Sequence, residues 1–206
     1  MTASTYHHGN LREALVSAGV EVVREHGADA LALRDLARRV GVSHNAAYRH
    51  FAGRDDLLAE VAGRGAAELM GTMTRRLESV TVDDLVLRAR MRLAEVGRSY
   101  VEFAVREPGL FRLAVSAIAD VEASPPYLML AEVLDDLVAV GYLAPEARRG
   151  AEIACWSGVH GFSCLAIDGT SRLDHDAALE VLLTTIDRSY GATTGQVASP
   201  LPGPAA

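Results

Sequence analysis

The chain contains no lysine: all 20 of its cationic side chains are arginines, set against 27 acids. That choice reads as a trace of GC-rich coding, not as mechanism. Cysteine is almost as scarce. The two cysteines, Cys155 and Cys164, lie nine residues apart in one expected helix, which separates them by about 13 Å of axial rise. Such a pair cannot bridge itself, so reduced thiols in a cytosolic protein are the simplest reading, with thiol redox sensing a minor alternative. No apolar run approaches the roughly 20 residues of a membrane span, and the N-terminus lacks a secretory apolar region. A soluble cytoplasmic protein without membrane contact is therefore expected. Strand-period alternation, internal repeats, a Walker motif and a strand-linked glycine fingerprint are also missing. His7-His8 has no third ligand, and His160 with Cys155 or Cys164 has no orienting partner. Neither catalysis nor a metal nor a cofactor is expected.

The sequence has 206 residues, half of them hydrophobic, which suffices for one or two compact domains. The net charge of −7 is unevenly spread. Residues 1–64 hold eight arginines, eight acids and five of the seven histidines, so the whole deficit lies further along. A neutral, histidine-rich module on an acidic body suits a protein that docks one end against phosphates.

The most informative stretch runs from Leu33 to Leu58. Leu33, Leu36, Ala37 and Val40 recur at helical spacing. Gly41 stops that helix, Val42 follows as a buried anchor, and Ser43 can cap the next helix. Ala46, Ala47, Tyr48 and Phe51 then face the first helix. This is a helix-turn-helix, whose second helix docks in the major groove of DNA.

The segment resembles the DNA-binding domain of the tetracycline-repressor (TetR/AcrR) family of bacterial transcription regulators. Gly41-Val42-Ser43, Tyr48-Arg49-His50-Phe51, Arg54 and Leu57-Leu58 carry the likeness. The resemblance implies phosphate contacts from Tyr48, His50 and Arg54. It departs from the family pattern in two places: Arg54 stands where lysine is common, and Ala32 where threonine or serine usually caps the first helix of the motif. Nearer the C-terminus, Cys155-Trp156-Ser157-Gly158-Val159-His160-Gly161 resembles a subgroup with a Trp…His-Gly regulatory domain. Tyr6-His7-His8-Gly9-Asn10-Leu11-Arg12 and Phe103…Glu107-Pro108-Gly109-Leu110-Phe111-Arg112 are typical of the same subgroup.

An all-α fold follows, in two domains. Residues 1–6 form a disordered arm, 7–64 a DNA-binding domain with its motif at about 33–52, 65–190 a helical regulatory and dimerisation domain, and 191–206 a disordered tail. The first helix starts near Asn10, which forms a capping box with Glu13, and ends at His26-Gly27. Later helices are expected to about Glu78, from Thr81–Asp84 to Arg106, over Leu110–Ala119, Pro126–Val140, Pro145–Asp168 and Asp174–Tyr190. Arg34 at the front of the second helix, Ser43, and His44, Asn45 and Ala47 on the third are candidate DNA contacts. Asparagine can pair with adenine, and an alanine methyl can touch thymine. The arm with Arg12 is a further candidate.

One motif covers too few base pairs, so a homodimer on a pseudo-palindromic operator is expected. The family resemblance implies dimerisation through the last two helices, where Ala154, Ser157, Gly158 and Gly161 allow close approach. It also implies a pocket for a small, largely apolar effector whose binding swings the reading heads and releases a repressor. Candidate lining residues are Met91, Phe103, Phe111, Met129, Trp156, His160 and Phe162. The alternative is a small-molecule-binding helical module that no longer binds DNA.

Overall fold

The computed structural model describes residues 11–169, 174–196 and 200–202. Over these residues the chain forms α1 (Leu11–His26), α2 (Leu33–Arg39), α3 (His44–Tyr48), α4 (Arg54–Glu78), α5 (Leu85–Arg106), α6 (Pro108–Ser116), α7 (Pro125–Ala139), α8 (Ala151–Ile167) and α9 (His175–Thr193). Two 3₁₀ turns, Ala28–Ala30 and Pro145–Ala147, complete the set, and no strand occurs among the described residues. The arm Tyr6-His7-His8, the cap Asn10 and the end of the tail lie outside the described residues.

The chain divides into two compact units. The first takes residues up to Glu68 together with Glu107–Ala117; the second takes Leu69–Arg106 and the residues from Ile118 onward. Residues 107–117, expected from the sequence in the regulatory part, thus pack with α1 instead. The reason is steric. A Cβ on Gly109 would lie 2.2 Å from the Val23 carbonyl oxygen, so only glycine lets the start of α6 rest on the α1 backbone. Pro108 opens α6 at its first turn, where a missing N–H costs nothing, and does not merely end α5.

Within the first unit, Leu15, Val23, Leu31, Leu36, Phe51 and Leu57 are fully buried and form the core. Gly41 adopts φ +75°, and the Val42 N–H closes the end of α2 on the Ala37 carbonyl at 2.9 Å. Val42 itself is half-buried, less enclosed than its anchor role implied. Ser43 caps α3: its Oγ accepts from the Ala46 N–H at 3.2 Å. The start of α2 lacks that device, since Ala32 is its N-cap residue and offers no side-chain acceptor. Ala32→Ser is accordingly expected to raise stability by about 1 kcal/mol, read as a higher urea midpoint at unchanged m-value; a neutral or lower midpoint would contradict it.

The second unit is built on α5, against which α7, α8 and α9 pack. Asp84 caps α5 by accepting from Leu87 N–H at 2.9 Å, and Asp174 caps α9 by accepting from Asp176 and Ala177. The helix expected over Pro145–Asp168 is split. Pro145–Ala147 forms a 3₁₀ turn, and Gly150 at φ +79° cannot continue a right-handed helix, so α8 starts at Ala151. At the other end α9 runs past Tyr190 into the stretch expected to be a disordered tail. Gly191 is buried there, and a Cβ on it would lie 2.6 Å from the hydroxyl of the fully buried Tyr142. Thr193 Oγ1 accepts from Ala144 N–H, and Gln196 donates to the Gly141 carbonyl, which fastens this end of the chain to the α7–α8 connection.

Candidate nucleic-acid interface and effector cavity

In the first unit, α3 shows solvent a face made of His44, Asn45 and Tyr48, continued by Arg49 and His50. Tyr48 is 46% exposed, so it does not face α2 as the periodicity suggested. Its ring lies 4.4 Å from that of His44, one helical turn earlier, and its hydroxyl has no hydrogen-bond partner among the described residues. Ala47 requires a correction. It is fully buried, because the two-helix motif needs a small side chain where α3 crosses α2, and it cannot reach a base methyl.

The arginines divide by what already occupies them. Arg54 donates from Nε to the Leu31 carbonyl at 3.0 Å and from Nη2 to the Ala28 carbonyl at 2.8 Å. Two of its donors therefore tie the turn after α1 to the start of α4, which makes Arg54 a positioning residue. Arg12 lies 4.7 Å over the Phe51 ring, donates to the His50 carbonyl and pairs with Glu60 at 2.9 Å. It holds the end of α3 through a cation–π contact. Arg38 pairs with Asp35, and Arg39 approaches Glu25. Arg34 and Arg49 are exposed and have no ion pair among the described residues. Arg49 was not among the sequence candidates, although its place between Tyr48 and His50 was the available signal.

In the second unit a cavity of about 40 Å³ lies between helices, with Met73, Leu93, Tyr100, Leu130, Trp156 and Leu183 among its lining residues. Of the seven residues expected to line a pocket, only Trp156 does so. Phe111 is buried in the first unit, and Phe103 is buried in α5 outside the lining. Met91 and Met129 each sit one residue, about 100° of helix rotation, from the true lining residues Arg90 and Leu130. Phe162 packs edge-on against His175. His160 acts at one remove: its Nδ1 lies 3.1 Å from the Tyr100 hydroxyl, and its Nε2 3.7 Å from Cys164 Sγ. Burial pushes the His160 pKa down, so the ring stays neutral at physiological pH. With its proton on Nε2, Tyr100 donates to Nδ1 and Nε2 donates to the thiol.

An ion pair that periodicity does not reveal borders the cavity. Arg90 donates from Nε and Nη2 to the two carboxylate oxygens of Asp187 at 3.0 and 2.7 Å, and both side chains are buried. The Tyr142 ring lies 5.0 Å from the guanidinium, and its hydroxyl donates to the Asp187 carbonyl. Cys155, also on the lining, sits 3.1 Å from the Tyr190 hydroxyl, and burial pushes its thiol up to about 11. It is therefore a protonated, unreactive thiol at neutral pH. Among the described residues no helix is long and apolar enough to cross a membrane.

A helix-turn-helix with exposed arginines, followed by a helical unit enclosing an apolar cavity, defines a DNA-binding regulator with an effector domain. The chain belongs to the TetR family: the model of bacterial regulatory proteins, tetR family, matches residues 15–61, and that of the tetracyclin repressor-like C-terminal domain matches residues 93–186. Among its relatives, the HTH-type transcriptional regulator YobS of Bacillus subtilis (strain 168) is 25% identical over 160 residues, 76% of this chain and 79% of that protein. A protein of unknown function from Rhodococcus sp. RHA1 has the same fold, with a TM-score of 0.76 at 27% identity over 92% of this chain and all of that one. A single-substitution variant of TetR from Acinetobacter baumannii AYE, solved in complex with minocycline, aligns with a TM-score of 0.61 at 22% identity over 90% of this chain and 98% of that one.

Proposed function

We propose that this TetR-family regulator is a homodimeric, cytoplasmic, non-enzymatic repressor that reads a pseudo-palindromic operator through α3 and leaves it when a small molecule fills the cavity of the second unit. The observation that carries the reading is the outer face of α3, where His44, Asn45 and Tyr48 stand exposed beside the uncompensated Arg34 and Arg49. In this reading Arg34, Arg49, Ser43, Tyr48 and His50 hold phosphates, and His44 and Asn45 touch base edges. Dimerisation is supported by an apolar outer face on the last two helices. Ile153, Leu165 and Val181 are 52, 54 and 67% exposed, with Ala154, Ser157 and Gly161 exposed along the same side. Gly158 belongs to the chain's own packing, since a Cβ there would meet Leu182 and Ile186. Coupling is supported by Met73, a lining residue on α4, the helix that begins in the first unit. A ligand that displaces Met73 pushes on the helix whose other end follows the reading motif.

Each phosphate contact releases counterions, so it leaves a signature in salt dependence. Arg34→Ala and Arg49→Ala are each expected to weaken operator binding and to lower the slope of log K against log[salt] by about 1. Asn45→Ala is expected to relax preference at a single base pair by about 1–3 kcal/mol while leaving that slope unchanged. Unchanged slopes in both arginine variants would remove α3 and its flank from the interface.

A further inference from the structure

We infer that the effector is an uncharged, compact hydrocarbon-like molecule that makes no strong hydrogen bond to the protein. The inference rests on reading the cavity as the effector site and assigns its ligand class. Every polar side chain on the lining is already satisfied from within the chain. Arg90 and Asp187 bind one another in a two-pronged pair, the Tyr100 hydroxyl lies 3.1 Å from His160 Nδ1, and the Cys155 thiol 3.1 Å from the Tyr190 hydroxyl. The remaining lining, including Met73, Leu93, Leu130, Val159, Leu183 and Ile186, is apolar. A carboxylate entering here would put a second buried anion beside Asp187, for which the single Arg90 charge is already the partner. An ammonium group meets the mirror problem at Arg90. A hydroxyl or amide gives up its water without finding an open partner. An apolar molecule meets none of these costs and gains by burying its own surface. The cavity of about 40 Å³ lies well below the usual range of drug-sized sites, which favours a single ring over a long chain or a fused system.

Trp156 is the only tryptophan in the sequence and lines this cavity, so its emission reports occupancy directly. The test titrates the full chain with cyclohexane, cyclohexanecarboxylate and cyclohexylammonium, three probes that share a ring, do not absorb near the indole band and differ in charge. The expected result is a saturable change in Trp156 emission with cyclohexane, accompanied by a rise in Tm, with both charged probes at least about 100-fold weaker. If either ion binds as well as the hydrocarbon, the assigned ligand class is wrong while the cavity remains an effector site. If none of the three saturates, the effector-cavity reading itself fails, and the ligand class with it.

Discussion

Asp187→Ala is expected to destabilise the protein by about 3–5 kcal/mol, the usual cost of leaving one member of a buried ion pair alone. The Arg90 guanidinium would keep its charge, with its side chain only 6% exposed, and lose both of its short carboxylate bonds. Tyr142, whose ring lies 5.0 Å from the guanidinium, is a neutral neighbour and cannot replace the lost charge. A second variant separates the pair's worth from the penalty of breaking it. Replacing both partners, as Arg90→Met with Asp187→Leu, is expected to recover most of the loss, because well-packed apolar groups need no partner. Urea unfolding followed by Trp156 emission measures both. A cost below about 1 kcal/mol for Asp187→Ala would mean that water reaches the pair, and would also weaken the case that charged effectors are excluded.

Gly109→Ala is expected to cost about 3 kcal/mol, at the upper end for overpacking, and to weaken DNA binding along with stability. The added methyl meets the backbone carbonyl of Val23, not the tip of a flexible side chain. Relief requires α6 to lift from α1, whose inner face carries the fully buried Leu15 and Val23. Thermal unfolding by far-UV circular dichroism, with operator affinity measured alongside, checks the expectation. A wild-type Tm would show that α6 does not rest on α1 as described.

The difference between these two sites and the reading motif explains what the sequence made legible. The helix-turn-helix is written in local chemistry: Gly41 takes the left-handed turn, Ser43 caps its own helix, and Leu33, Leu36 and Ala37 face inward at helical spacing. On α3 the same periodicity places Ala47 inside but misplaces Tyr48, which is exposed beside His44 and Asn45, and Ala47, expected as a base contact, is fully buried. The cavity was not legible. α5 is buried on every side from Leu93 to Val101, with Glu95 and Arg98 included, so its amphipathic pattern does not tell which side meets the cavity, and α8 is apolar around most of its circumference. Which residue of a neighbouring pair lines the cavity is decided by the helices that surround α5. Met91 and Met129 were accordingly replaced by Arg90 and Leu130, one residue away in each case. Gly109 and Gly191 were visible as letters, but their reason is the backbone of Val23 and the ring of Tyr142, both distant in sequence.

The measurement that tests the account most directly is selection of bound duplexes from a random DNA pool by the 206-residue chain, followed by affinity against salt for the winning sequence. The account predicts an inverted repeat whose half-site centres lie about one helical turn, or a multiple of it, apart, with binding that falls steeply as salt rises. Its affinity should fall further when the cavity is occupied. Enrichment of no sequence at low salt, or binding that ignores salt, would contradict a regulator that reads DNA through α3.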